Sequence, residues 1–225
     1  MKIFGHRGAA GLVAENTIES IKEALNHKVD GIEIDVHKCK SGELIVIHDE
    51  TLQRTTNGKG KVSDFTLQEL HKYTTIEGYK IPTLNQVLNM VNTTCDINIE
   101  LKGIGTAMPV IELLEDYIKN TNWERNNFVL SSFDHSQLFQ IKRSSSEFNL
   151  GVLTEKNISS VLSVAESLEA YSVHPPIASL TEEEVKLAKD KGYKVYVWTV
   201  NDPEDIKSSK ELKVDTIITD FPNFA

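Results

Sequence analysis

Short runs of β-branched and apolar residues alternate along this chain with stretches of helical period, a pattern that predicts a parallel sheet with helices packed outside it. The predicted strands are residues 2–5, 31–36, 44–48, 96–101, 128–132, 150–153, 170–173, 195–200 and 216–219. Loop length sets one of them apart. A parallel crossover needs a dozen or more residues, whereas Val36 and Leu44 are separated by only seven, with a Ser41-Gly42 turn signal among them. Residues 44–48 are therefore expected to return antiparallel, which leaves eight parallel strands.

The helices announce their starts with capping boxes, in which a side-chain oxygen and an acid or amide three residues later satisfy orphan backbone donors. Asn16 with Glu19, Thr66 with Glu69, Thr83 with Gln86 and Thr181 with Glu184 fit this pattern. Ile18, Ile21 and Leu25 give the first helix one apolar face, and Asp202-Pro203 supplies a cap and an N1 proline for the last. The whole reads as an α/β fold, a TIM-like (β/α)8 barrel. Residues 49–82 form a small insertion after strand 2 and its return, and only Asp220 to Ala225 follow the eighth strand, so the final helix is truncated. With no linker, low-complexity tract or repeat, residues 1–225 are expected to be a single domain.

Charge narrows the partners. The 225 residues carry 24 Lys and Arg against 33 Asp and Glu, a net charge of -9, which disfavours nucleic acid and stable association with anionic membranes. Cys39 and Cys95 are too few for a disulfide framework and read as reduced thiols. The opening residues lack the pattern of a secretory leader and no apolar run is long enough to span a bilayer, so a cytoplasmic protein is expected.

In such a barrel the chemistry sits at the carboxyl ends of the strands. Glu33 with Asp35, and Glu100 with Lys102, have the i, i+2 spacing that puts both side chains on one face of a strand. Ile32, Ile34 and Val36, then Ile99 and Leu101, take the opposite face, so the charged set is expected to point at the barrel axis. Three carboxylates gathered there would repel and desolvate one another unless a cation neutralised them. An all-oxygen set without cysteine points to Mg²⁺ or Ca²⁺. The competing reading is an ion-pair network in which Glu33 and Asp35 pair with Arg7 and Lys102 and no metal binds. His6 and His48 end neighbouring runs beside this cluster, as a pair of proton carriers would; His27, His37, His71, His135 and His174 do not converge and read as surface or structural. Arg7 and Lys102 add positive charge on the same rim, which suits a phosphoester.

These residues resemble the glycerophosphodiester phosphodiesterases. The resemblance runs in order through His6-Arg7-Gly8, Glu15-Asn16-Thr17, Glu33-Ile34-Asp35-Val36, His48-Asp49 and Arg54-Thr55-Thr56-Asn57-Gly58. It continues through Ile81-Pro82-Thr83-Leu84, Glu100-Leu101-Lys102, Ser132-Phe133, Trp198-Thr199-Val200-Asn201 and Thr219-Asp220-Phe221-Pro222. It implies a barrel that hydrolyses a small-molecule glycerophosphodiester to glycerol 3-phosphate and an alcohol, with one divalent cation. His6 and His48 would be the acid and base pair, in either order, and Glu33, Asp35 and Glu100 the metal ligands. Arg7 and Lys102 would hold phosphate, and Trp198 would form an apolar wall with Phe133 opposite. Glu15 has two readings, orienting Arg7 or a substrate hydroxyl, or serving the start of the first helix. Ala14 stands where the family usually has proline, which removes no functional group. The alternatives are a related enzyme acting on lysophospholipids or phosphoinositides, and a non-catalytic barrel that binds a phosphodiester. The leaving alcohol and the oligomeric state are not legible in the sequence.

Overall fold

The computed structural model describes residues 1–144 and 147–224. Its strands are β1 (Lys2–His6), β2 (Gly31–Lys38), β3 (Leu44–Val46), β4 (Asp96–Leu101), β5 (Phe128–Ser132), β6 (Asn149–Leu153), β7 (Ser172–His174), β8 (Lys194–Val197) and β9 (Thr216–Thr219). Eight of them pair in parallel in the order β1-β9-β8-β7-β6-β5-β4-β2, and a β1–β2 pairing closes the barrel. The exception is β3, which returns antiparallel on β2 with Val36 opposite Val46, as the short connection requires. The helices are α1 (Ile18–Asn26), α2 (Leu67–Leu70), α3 (Leu84–Val91), α4 (Ala107–Asn120), α5 (His135–Arg143), α6 (Leu162–Leu168), α7 (Glu182–Asp190) and α8 (Pro203–Glu211). After β9 comes a 3-10 turn, Pro222–Phe224.

Local chemistry explains most boundaries. Thr66 with Glu69 and Thr83 with Gln86 form complete capping boxes, Thr181 accepts from the Glu184 amide, and Asp202 accepts from the Glu204 amide ahead of Pro203. The first cap differs from expectation. Thr17, not Asn16, caps α1 by accepting from the Ser20 amide at 3.0 Å, because Asn16 adopts φ 58° and spends its side chain on Asp35. Three strand ends also shift. The third run stops at Val46, so His48 lies in the following loop. Ala170 and Tyr171 belong to the connection after the left-handed Glu169 cap of α6 rather than to β7. Past Val197, Trp198 lies outside β8 and forms an isolated bridge to Pro176.

Between β3 and α3 the chain makes its longest excursion, containing a 3-10 turn at Val62–Asp64 and α2. It closes over a small apolar cluster of its own, in which Leu52, Val62, Leu70 and Ile81 pack on Ile45 and Ile47. The main core lies between the barrel and its helices and contains Ile32, Ile34, Val36, Ile97, Ile99 and Leu101. The alternate positions point inward, where Phe4, Val129, Tyr196 and Ile218 fill the barrel below the site. Gly31 is required here, since a Cβ on it would sit 2.4 Å from the Phe4 ring.

His174 belongs to the same interior. It is wholly buried, stacked on Tyr196 with centroids 4.9 Å apart, with Nε2 2.7 Å from Ser172 Oγ. Burial without a counter-charge pushes its imidazole down to about 3. The unfolded chain therefore binds a proton that the fold refuses between about pH 6.5 and the folded value, and stability from this group is lost as pH falls through that window. His174→Gln is expected to remove about 3 kcal/mol of the stability loss between pH 7 and pH 4. Urea unfolding of both proteins at the two pH values tests this, and equal losses would show that the buried imidazole is not the cause.

Candidate active site

The barrel register assembles the acidic cluster. His6 on β1 lies opposite Glu33 on β2, and Asp35 opposite Glu100 on β4. Because alternate residues face the axis, Glu33, Asp35 and Glu100 converge, each 9% exposed or less. One carboxylate oxygen from each lies within 4.8 Å of the others. Burial, then Asp35 and Glu100, raises Glu33 well above the usual carboxylate range. Burial and Asp35 likewise push Glu100 up to about 7.

The cations present do not saturate this cluster. The Arg7 amide donates to Glu33 at 3.1 Å, and its Nε stands 3.4 Å from Asp35. Lys102 lies 3.2 Å from Glu100 and 4.0 Å from Asp35. Asn16 donates to Asp35 Oδ2 at 2.8 Å, while the buried Asp35 Oδ1 has no hydrogen-bond partner. An orphaned, fully buried carboxylate oxygen among three converging acids fits a bound cation better than a closed ion-pair network.

Each histidine is oriented by its own carboxylate. Nδ1 of His6 is 2.6 Å from Asp220, and its Nε2 is 3.9 Å from Glu33. Asp220 is fixed in turn by Asn201, which donates Nδ2 to it at 2.6 Å and accepts the Asp220 amide at 2.9 Å. Burial works against the Asp220 charge, but His6 and Asn201 outweigh it and hold the carboxyl below its usual range. Nδ1 of His48 is 2.6 Å from Asp49, and the Lys102 ammonium donates to its Nε2 at 3.0 Å. That donation requires a lone pair on Nε2, so His48 is the neutral base form with its proton on Nδ1. Burial, reinforced by Arg7 and Lys102, lowers its pKa in the same sense.

Around this centre, Arg7 donates to Glu15 at 2.8 Å and Arg54 donates to both Glu15 and Asp49. Burial opposes ionisation of Glu15, and the two arginines together overcome it. Glu15 is thus hydrogen-bonded to both Arg7 and Arg54. Phe133 and Trp198 meet edge to face with centroids 5.6 Å apart, so they form one wall and do not stand opposite each other. Lys102 Nζ lies 5.8 Å from the Phe133 ring centroid, and Trp198 Nε1 donates to the His174 carbonyl at 2.8 Å. A cavity of about 90 Å³ is enclosed by His6, Arg7, His48, Lys102, Phe133 and Trp198, with Asn98 also lining it.

Every residue singled out in the sequence except Asp35 and Glu15 lines this cavity, and those two sit directly behind it. The remaining histidines do not line it: His37 Nε2 donates to the His48 carbonyl at 3.0 Å, and His27 pairs with Glu23. Sequence reasoning missed the supporting set of Asn16, Asp49, Arg54, Asn98, Asn201 and Asp220 as site residues. The adjacency of His48 and Asp49, and an acid directly after the last strand, were the available signals.

A barrel with a carboxylate cluster that could hold a metal, two carboxylate-oriented histidines and two basic side chains around one cavity has the groups that hydrolysis of a phosphoester calls for. The sequence profile of the glycerophosphoryl diester phosphodiesterase family matches residues 6–224. A glycerophosphodiester phosphodiesterase of Caldanaerobacter subterraneus subsp. tengcongensis is 38% identical, covering 98% of this chain and 94% of that protein. One of Bacillus altitudinis is 37% identical, covering 100% and 96%. Among solved structures, an Oleispira antarctica phosphodiesterase in complex with the product sn-glycerol-3-phosphate superposes with a TM-score of 0.90 at 26% identity, covering 99% of this chain and 94% of that one. The glycerophosphodiester phosphodiesterase of Thermotoga maritima gives 0.82 at 30% identity, covering 99% and 95%. The chain belongs to the glycerophosphoryl diester phosphodiesterase family and is a phosphoric diester hydrolase.

Proposed function

We propose that His6 and His48 act as the acid and base of this hydrolase, with Glu33, Asp35 and Glu100 holding its metal and Arg7 and Lys102 holding phosphate. The reaction converts a glycerophosphodiester into glycerol 3-phosphate and an alcohol. The observation that carries the assignment is the pair of histidines facing one cavity, each with Nδ1 on a carboxylate 2.6 Å away and Nε2 turned inward. Glu33, Asp35 and Glu100 would hold a magnesium or calcium ion, which would neutralise charge and polarise the phosphoryl oxygens.

The protein's own groups divide the remaining work. His48, held as the free base, takes the proton of the nucleophile, and Asp49 steadies the imidazolium that results. Because Nε2 carries the lone pair that takes the proton, base catalysis requires Lys102 to give up its contact with Nε2 in favour of the phosphate. His6, oriented by Asp220, delivers a proton to the leaving oxygen. Trp198 and Phe133 exclude water from the side facing the glycerol. Two buried, unpaired thiols, Cys39 and Cys95, suit a reducing compartment and support a cytoplasmic location; among the described residues no helix is long and apolar enough to cross a membrane.

Coupled detection of glycerol 3-phosphate from a panel of glycerophosphodiesters tests the reading. Product is expected with Mg²⁺ or Ca²⁺ supplied, and loss of product is expected with chelator and its return on metal add-back. Absence of product from every member, with folded protein and metal present, would refute it. An analogue lacking the glycerol 2-hydroxyl separates the two nucleophiles: unchanged kcat assigns attack to water, and its loss at saturation assigns attack to that hydroxyl.

A further inference from the structure

We propose that Arg54 is a positioning residue for this reaction, joining the His48 and Arg7 halves of the site through one guanidinium. The inference rests on the roles assigned to those two residues above. Arg54 comes from the excursion between β3 and α3 and contributes nothing to the cavity lining. Its Nε and Nη2 donate to the two oxygens of Asp49, both at 2.8 Å. Its Nη1 and Nη2 donate to the two oxygens of Glu15 at 2.9 and 2.7 Å. Each acid has a second partner on the reacting side: Asp49 faces His48 Nδ1 and Glu15 accepts from Arg7 Nη1. Charge therefore alternates from Arg7 through Glu15 and Arg54 to Asp49, which in turn holds His48.

Stability does not explain this arrangement. The Arg54 side chain is 47% exposed, and ion pairs that solvent can reach contribute little to folding. Placement does explain it. A planar guanidinium offering two forks at a fixed angle sets the distance between two carboxylates, which a lysine ammonium cannot do. Without it, Glu15 and Asp49 face each other as like charges, Arg7 is drawn wholly to Glu15, and His48 is left to follow an unrestrained Asp49. Displacement of about 1 Å in such groups costs on the order of 100-fold in rate.

A second consequence follows from charge at His48. The groups facing it are Asp49 and Arg54 from the excursion, Lys102 after β4, Asp35 on β2 and Arg7 after β1. Arg54 Nη2 stands 3.5 Å from His48 Nδ1 and also absorbs the charge of Asp49. Its removal favours the imidazolium twice over. His48 must be neutral to act as base, so the acidic limb of the kcat/KM profile moves to higher pH.

The experiment compares Arg54→Ala and Arg54→Lys with His48→Ala under metal-supplied turnover. Arg54→Ala is expected to lower kcat/KM about 100-fold with the acidic limb shifted upward and thermal midpoint nearly unchanged. Methylguanidinium is expected to restore part of the lost activity, and Arg54→Lys to retain part of it by keeping one of the two contacts. An Arg54→Ala enzyme within about threefold of wild type, beside an inactive His48→Ala enzyme, would overturn the inference. So would a loss accompanied by an unmoved acidic limb and no rescue, which is the behaviour of a structural role alone. Full activity in His48→Ala would instead bring down the assignment of the base, and this inference with it.

Discussion

His48→Ala is expected to lower kcat by about 10³- to 10⁴-fold, with KM little changed and the fold intact. The argument starts from placement. His48 lies in the loop after β3 with its side chain 28% exposed, so no core packing depends on the imidazole. Its two nitrogens are fully committed, Nδ1 to Asp49 and Nε2 to Lys102, and alanine removes the imidazole that serves as base. Lys102 and Arg7 stay in place to bind phosphate, which is why ground-state affinity survives. His6→Ala is expected to show a loss of similar size, since Asp220 and Asn201 would then orient nothing. Steady-state kinetics with circular dichroism decides the matter, and near-wild-type turnover in either variant would remove that residue from the mechanism.

Glu100→Gln is expected to abolish metal-dependent turnover while making the metal-free protein more stable. Above its value of about 7, an ionised Glu100 in the folded protein sits beside Asp35, and Lys102 and Arg7 compensate it incompletely. The amide keeps the shape and removes the charge. At pH 8 the gain in the metal-free state is about 2 kcal/mol, or about 4–8 °C in thermal midpoint for a chain of this size. Wild type should rise in thermal midpoint on adding Mg²⁺ or Ca²⁺, because a ligand that binds only the folded state stabilises it by mass action. The variant should lose most of that response. A metal-free midpoint equal to or below that of wild type, or an undiminished response to metal, would count against the three carboxylates as the cation site.

Much of this was legible in the sequence because β-strands alternate strictly. Ile32, Ile34 and Val36 against Glu33 and Asp35 announced which face met the helices, and the structure places the first set in the outer core and the second at the axis. The seven residues between Val36 and Leu44 fixed the antiparallel return for the same kind of reason, a limit on reach. The supporting groups were hidden because they depend on contacts across long separations. Asp220 meets His6 across 214 positions, and Arg54 meets Glu15 across 39. Asn16 was misread by a local rule that was correct in form. Its side chain does hydrogen-bond, but to Asp35 across the barrel mouth, and the neighbouring Thr17 takes the cap.

The pairing of β1 with β9 ties the chemistry to the order in which the barrel can form. β1 can complete its pairing only after residues 216–219 are in place, and the carboxylate that orients His6 is the next residue. Closure of a loop of that length is an entropically costly, late event in folding. Returning activity during refolding therefore reports barrel closure itself: a partly folded chain with every other active-site residue in position still lacks an oriented His6.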